Sequence, residues 1–349
     1  MRSSLKNSVV VITGASSGLG RAVALRLAKK GVRLVLAARN EKALAGLVRR
    51  CEGLKAKAIS VRADVVEETD VKQIVEKALA TYGRVDAWVN NAGVLAVGRF
   101  EEVPPAVFRK VIETNFYGVV HGTRAILPVF KAQRHGVLLN VSSLESKVAM
   151  PYSTAYAASK FAITGFSDSL RSELVHERDI HICTIIPASI DTPLFQHAAN
   201  YSGKALRPVN PVYSVESAAR DIVKCIERPR AEAFVGGMGR WFTLIKRVAP
   251  RTTEKRLHKK VLREHFQPMP ISRTEGNVFV SDRQFLSASG GWGGRDTRTG
   301  KVALGALAVF IFGMIAYRRV SAPRGYNERR DRRTDPIEQE VRQSVVEVA

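Results

Sequence analysis

The stretch Val9-Val10-Val11-Ile12-Thr13-Gly14-Ala15-Ser16-Ser17-Gly18-Leu19-Gly20 decides the fold. Its β-branched first half reads as a buried strand, and the apolar spacing of residues 19–30 behind it reads as a helix. Glycines between the two permit a tight turn. They also let backbone amides approach a pyrophosphate at the amino end of the helix, where the dipole favours negative charge. The spacing is GxxxGxG rather than the commoner GxGxxG, and a glycine-rich turn can be no more than a turn. Its position between strand and helix makes Gly14, Ser16, Ser17, Gly18, Leu19 and Gly20 candidate cofactor-binding residues.

Outward from this turn the same alternation repeats. Strand-like runs fall at 9–13, 33–37, 58–62, 87–90, 137–141 and 180–186, with a weaker one at 232–235. Helix-like stretches fill the gaps, among them 19–30, 42–51, 70–81 and 159–177. Continuous apolar strands alternating with helices predict a parallel sheet covered on both faces and wound right-handed. The expected fold is therefore α/β, a doubly wound Rossmann-type sheet of about seven strands over residues 1–237, followed by a C-terminal helical extension.

The second strand ends Leu36-Ala37-Ala38-Arg39. An acid there would hold both ribose hydroxyls of NAD, whereas an arginine pairs with a 2′-phosphate. Arg39 therefore points to NADP(H), the plain alternative being a solvated arginine that opens the next helix. Further on, Tyr156 and Lys160 stand four residues apart, on one face of a helix. An ammonium beside a phenol stabilises phenolate, which suits reversible proton transfer to a carbonyl oxygen. Such a pair alone is usually a surface pair. Here Val141-Ser142-Ser143 ends one strand and Asn90-Asn91-Ala92-Gly93 ends another, both at the sheet edge where ligands bind in open α/β folds.

With these residues in place, the chain resembles the short-chain dehydrogenase/reductase (SDR) family. The matching signatures are Thr13-Gly14-xxx-Gly18-x-Gly20, Asn90-Asn91-Ala92-Gly93, Asn115, Ser143 ahead of Tyr156-xxx-Lys160, and Pro187-xxxx-Thr192. The resemblance implies that Tyr156 is the acid/base and that Lys160 lowers its pKa while binding the nicotinamide ribose. It implies that Ser143 steadies the substrate oxygen and Asn115 holds a water in a proton relay. It further implies that Asp64 and Val65 meet the adenine, that Asn91, Ala92 and Gly93 border the cofactor, and that Pro187 and Thr192 fix its nicotinamide end. Family members commonly pair through helices beside the fourth and fifth strands, so a homodimer is implied too. One departure stands out: Ala188 follows Pro187 where the family usually has glycine.

The 349 residues, 45% hydrophobic and 25% charged, exclude a disordered or collagen-like chain. Their formal charge of +23 asks for an anionic partner: nucleic acid, a membrane surface or a phosphorylated ligand. Residues 240–263 hold nine Lys/Arg against Glu254 alone, and residues 318–333 hold seven Arg against Glu328 and Asp331. Aromatic residues do not interleave these stretches, which argues against nucleic acid. The expected organisation is a basic amphipathic extension at 238–286, a Gly-rich linker at 287–301, an apolar membrane segment at 302–317 and a charged tail at 318–349. As a helix, 302–317 would reach about 24 Å, short of a bilayer core of about 30 Å unless flanking basic residues snorkel.

Cys51, Cys183 and Cys225 form no CxxC pair, which fits a reducing compartment and offers no zinc site. The first eight residues are too short and polar for a signal peptide, so the expected location is membrane-associated with the catalytic domain in the cytoplasm. The expected activity is NADP(H)-dependent interconversion of a carbonyl and an alcohol on a small lipophilic substrate, with the flexible-looking 193–213 segment as its lid. The alternative is a catalytically silent, membrane-bound NADP(H)-binding scaffold or sensor.

Overall fold

Seven of the strands form one parallel sheet. The computed structural model describes residues 5–237, 239–282 and 284–296. The strands are β1 (Val9–Thr13), β2 (Arg33–Ala38), β3 (Lys57–Arg62), β4 (Ala87–Asn90), β5 (Gly136–Val141), β6 (Ile180–Pro187) and β7 (Glu232–Val235). Their order across the sheet is β7-β6-β5-β4-β1-β2-β3, all parallel. The order reverses between β1 and β4, and that opens a crevice beyond their carboxyl ends.

Strand β1 is buried throughout, as a central strand covered on both faces must be. Edge strand β3 alternates between covered and exposed positions. The pleat sends Val10, Ile12, Leu34 and Leu36 into one core with helices α1 (Gly18–Ala28), α2 (Glu41–Glu52) and α7 (Val215–Glu227). Val9, Val11 and Val35 enter a second core with α3 (Glu68–Tyr82), α5 (Gly118–Gln133) and α6 (Thr154–Glu173). Helix α4 (Pro105–Ile112) lies ahead of α5.

Helix α6 starts at Thr154 rather than at residue 159, so Tyr156 and Lys160 fall in its first two turns. The small residues there tolerate a helix, and Pro151 lies outside it. The basic extension forms two helices, α8 (Gly239–Val248) and α9 (Pro250–Glu264), and then a strand at Phe266–Pro270. That strand pairs with Lys204–Leu206, and Ala199–Asn200 pairs with Ala96–Val97. The 193–213 segment is thus tied down at two short sheets instead of hanging free.

The stretch from residue 287 differs most from expectation. Together with residues 277–282 and 284–286 it forms, through residue 296, a strap bound to the body of the domain. The Asp191 carboxylate accepts bonds from Ser289 Oγ at 2.8 Å, Gly290 N–H at 2.9 Å and Trp292 N–H at 3.0 Å. The Trp292 indole donates to the Thr192 carbonyl at 3.2 Å, and Arg220 pairs with Asp296 at 2.7 Å. Composition reads such glycines as flexibility, yet here they permit close approach. A Cβ at Gly290 would lie 2.5 Å from the Thr192 oxygen, and one at Gly294 would lie 2.5 Å from the Ser214 nitrogen. The 302–317 segment and the 318–349 tail lie outside the described residues. Among the described residues no helix is long and apolar enough to cross a membrane.

Candidate active site

The glycine turn and the end of β4 are pressed together. Thr13 Oγ1 accepts from the Asn91 and Ala92 amides at 3.0 and 3.2 Å. The Asn91 side-chain amide donates back to the carbonyls of Thr13 and Gly14 at 3.0 and 3.1 Å. Gly14 has φ +64°, and a Cβ on it would sit 2.7 Å from Ala92 Cα. A Cβ on Gly20 would sit 2.5 Å from both Asn91 Nδ2 and the Gly14 oxygen. Gly20 therefore serves the packing of the turn, whereas Gly14, Ser16, Ser17, Gly18 and Leu19 line a cleft of about 310 Å³. Amides at the start of α1 beside a glycine-lined cleft fit a pyrophosphate.

Arg39, Asp64 and Val65 line one end of this cleft. The Arg39 guanidinium donates to the carbonyls of Asn277, Val278 and Phe279 at 2.6 to 3.4 Å. It also lies 4.0 Å from the Asp64 carboxylate. Burial draws the Arg39 pKa down, and Asp64 draws it back up. The strap reaches the same region: the Gly18 amide donates to the Ser287 carbonyl at 2.9 Å, and the Asn40 side chain donates to the Asp282 carbonyl at 3.0 Å.

At the other end stand Ser143, Tyr156 and Lys160. Tyr156 and Lys160 are buried, 8% and 4% exposed, so this is no surface pair. The Lys160 ammonium donates to the Val141 carbonyl at 2.9 Å and sits 5.3 Å from the centre of the Tyr156 ring. Burial pulls Lys160 down to about 8, opposed by Glu145. Burial, followed by the charge of Glu145, pushes the Tyr156 phenol up, while a hydrogen bond with Ser143 pulls it down. Proximity to Lys160 alone does not make this phenol acidic, because removing both groups from water outweighs it. Ser142 donates to the Lys160 carbonyl at 3.0 Å, which commits it to α6 and leaves Ser143 to face the cleft.

Asn115 lies in a π-helical turn, Glu113–Tyr117, and is fully buried. Its Oδ1 accepts from the Val94 amide at 2.8 Å, and its Nδ2 donates to the Val94 carbonyl and to Ser159 Oγ, both at 3.0 Å. It staples the chain after β4 to α6. A Cβ on Gly93 would lie 3.2 Å from Asn115 Oδ1 and 3.8 Å from Lys160 Nζ, so Gly93 leaves open the space between them.

Pro187 and Thr192 line the cleft, as does Ala188. The methyl of Ala188 is accommodated by Gly236, φ +110°, on which a Cβ would come within 2.9 Å of Ala188 Cβ and of the Tyr213 ring.

Several lining residues had no signature in the sequence. Phe242, Leu257 and Lys260 come from α8 and α9, and Asn277, Ser281, Asp282 and Leu286 come from the strap. Glu145, an acid so close to Ser143, could have been noticed; its burial could not. Asn90 belongs to a buried network, accepting from Trp88 Nε1 at 2.6 Å and donating to Asn140 at 2.9 Å, that holds β4 to β5.

A sequence profile described as short chain dehydrogenase matches residues 8–201. The chain is 36% identical over 276 residues to the uncharacterized oxidoreductase YxnA of Bacillus subtilis, covering 78% of this chain and 77% of that one. It is 38% identical over 227 residues to 11-beta-hydroxysteroid dehydrogenase A of Sesamum indicum, covering 62% of this chain and 64% of that one. Its fold is similar to that of a short chain dehydrogenase/reductase from Burkholderia phymatum solved in complex with NAD. That similarity has a TM-score of 0.65 and 24% identity over 77% of this chain and 100% of that one. The fold and the sequence agree: the chain is an oxidoreductase of the short-chain dehydrogenase family.

Proposed function

We propose that this chain interconverts a carbonyl and an alcohol on a lipophilic substrate with NADP(H) as cofactor. The observation that carries the reading is that buried Tyr156 and Lys160 and half-buried Ser143 line the same cleft as the glycine turn and Arg39. When bound, the cofactor supplies or accepts hydride at the substrate carbon. In the reducing direction the Tyr156 phenol gives its proton to the carbonyl oxygen, and Ser143 hydrogen-bonds that oxygen as charge gathers on it. The Lys160 ammonium, beside the Tyr156 ring, stabilises the phenolate that remains. Asn115 holds Val94 and Ser159 in place around this group. Gly14, Ser16, Ser17 and Leu19 would hold the pyrophosphate beside Gly18, whose amide is given to the Ser287 carbonyl; Asp64 and Val65 would border the adenine, Asn91, Ala92 and Gly93 the ribose, and Pro187 and Thr192 the nicotinamide.

Arg39 supports NADP(H) over NAD(H). Carbonyl oxygens orient its guanidinium without cancelling its charge, and Asp64 is too distant for a direct hydrogen bond. Val148, Met150, Leu194, Phe195, Phe242 and Leu257 give the substrate end an apolar wall, which suits a lipophilic carbonyl. The same helices turn Leu244, Val248 and Leu262 outward among Lys246, Arg247, Lys255, Lys259 and Arg263. That combination suits an anionic membrane surface on the cytoplasmic side, with substrate entering between α8 and α9. Exposed Tyr117 and Phe161, beside α5 and on α6, suit pairing of two copies.

Tyr156→Phe is expected to lower kcat for carbonyl reduction by at least about 100-fold, by loss of the proton donor, while NADPH binding followed by fluorescence stays within about twofold. Turnover equal to the unmodified protein would contradict the assignment. Arg39→Gln is expected to weaken NADPH about tenfold or more and leave NADH nearly unchanged, by titration calorimetry. An equal effect on both would remove the argument for NADP(H). The full chain and a chain ending at residue 296 should both sediment with phosphatidylserine vesicles at low salt and lose binding as salt rises. Failure of the shorter chain to bind would remove α8 and α9 from the surface. Light scattering should give twice the chain mass, and a single-chain mass would contradict pairing.

A further inference from the structure

Glu145 stands in the wall of the cleft, beside the groups proposed to move a proton, and is 9% exposed. Its backbone amide donates to Ser143 Oγ at 3.1 Å, and its carboxylate accepts from Ser153 Oγ at 2.6 Å. Ser153 immediately precedes the helix that carries Tyr156 and Lys160, and it also donates to the Met150 carbonyl at 3.2 Å. One short turn thus ties Ser143 to the start of α6 through a single acid. An unpaired buried carboxylate is costly. Ser153 supplies one hydrogen bond to it, and the Lys160 ammonium supplies attraction.

We propose that Glu145 is a positioning residue that acts through Tyr156. Its carboxylate keeps the proton on the phenol, and its neutral acid releases that hold. The groups acting on it are identifiable. From α6 come Tyr156, whose phenolate a charge on Glu145 opposes, and Lys160, which favours that charge. From its own turn comes Lys147, which is spent on Glu232 of β7 at 2.6 Å. Burial pushes the Glu145 carboxyl up to about 7, against the pull of Ser153. Its ionisation therefore falls within the physiological pH range. As pH rises through that point Glu145 becomes charged and Tyr156 becomes a weaker acid. The pH sign follows: below the midpoint, facing a neutral acid, the phenol is the stronger proton donor toward a carbonyl oxygen, and above it the phenol is the weaker donor and its phenolate the stronger base.

The proposal rests on Tyr156 as the proton donor, but its test needs no turnover. The full chain is labelled with ¹³C at the tyrosine Cζ and the glutamate carboxyl and titrated by NMR, with Y156F and E145Q used to assign the two resonances. One glutamate carboxyl should titrate near neutral pH and vanish in E145Q. The Tyr156 Cζ shift should show an inflection at the same midpoint, lost in E145Q, where phenolate should form about one pH unit or more lower. S153A, which keeps the acid and removes its hydrogen bond, should move both inflections upward together; it serves equally if E145Q does not fold. A Tyr156 titration identical in all these proteins, or a Glu145 carboxyl that titrates in the ordinary carboxylate range, would overturn the proposal. Neither outcome bears on whether Y156F abolishes turnover, so failure here and failure of the carbonyl–alcohol reading are distinguishable.

Discussion

Everything in the cleft depends on the hydrogen bonds between Thr13 and Asn91. They join the carboxyl ends of β1 and β4, the strands between which the sheet order reverses. At that switch point a crevice is unavoidable, because the connections leave in opposite directions. The reciprocal pair sets its width. Gly14 and Gly20 are glycines because the Asn91–Ala92 chain occupies the volume a side chain would need. With β4 fixed this way, Val94 is delivered to Asn115, and Asn115 in turn holds Ser159, on the same helix as Tyr156 and Lys160. A chain of short contacts therefore runs from the glycine turn to the phenol.

Electrostatics in this cleft is governed by burial more than by pairing. Tyr156, Lys160 and Glu145 each lose water, and each is pushed toward its neutral form for that reason first. Their mutual interactions then correct the result: Glu145 restores charge to Lys160 and takes it from Tyr156. The +23 of the chain has little part in this. Helices α8 and α9 carry nine basic residues against Glu254 and Glu264, with exposed apolar residues among them, and Arg39 stands in the cleft beside Asp64.

The strand alternation was legible, because a doubly covered parallel sheet needs apolar runs and the chain has them at its central strands, while edge strands β3 and β7 are interrupted by charged or exposed residues. The glycine turn and the Ser143–Tyr156–Lys160 spacing are local patterns open to a reading of the sequence, and the structure sets them along one cleft. What depended on distant parts of the chain was not. Residues 287–296 read as a free linker because composition cannot distinguish a glycine needed for mobility from one needed for contact, and Asp191 is a hundred residues away in kind but adjacent in space. The start of α6 lies earlier than the apolar pattern places it, because residues 154–158 show no helical period. Glu145 was passed over because nothing local distinguishes a buried acid from a solvated one.

The strap and the basic helices lie beyond the residues matched by the family profile, and both reach the cleft. They close over the cleft beside Gly18 and Arg39 through Ser287 and Asn277, and Phe242 and Leu257 add to its wall. The domain common to the family is thereby given walls of this chain's own. Incubation of the full chain with NADPH deuterated at the transferable C4 position, across a panel of lipophilic ketones and aldehydes, reports on the proposed chemistry without assuming a substrate. Mass spectrometry should find one deuterium on the carbinol carbon of at least one product. Tight NADPH binding with no deuterium in any product would contradict the account and leave a cofactor-binding protein without chemistry.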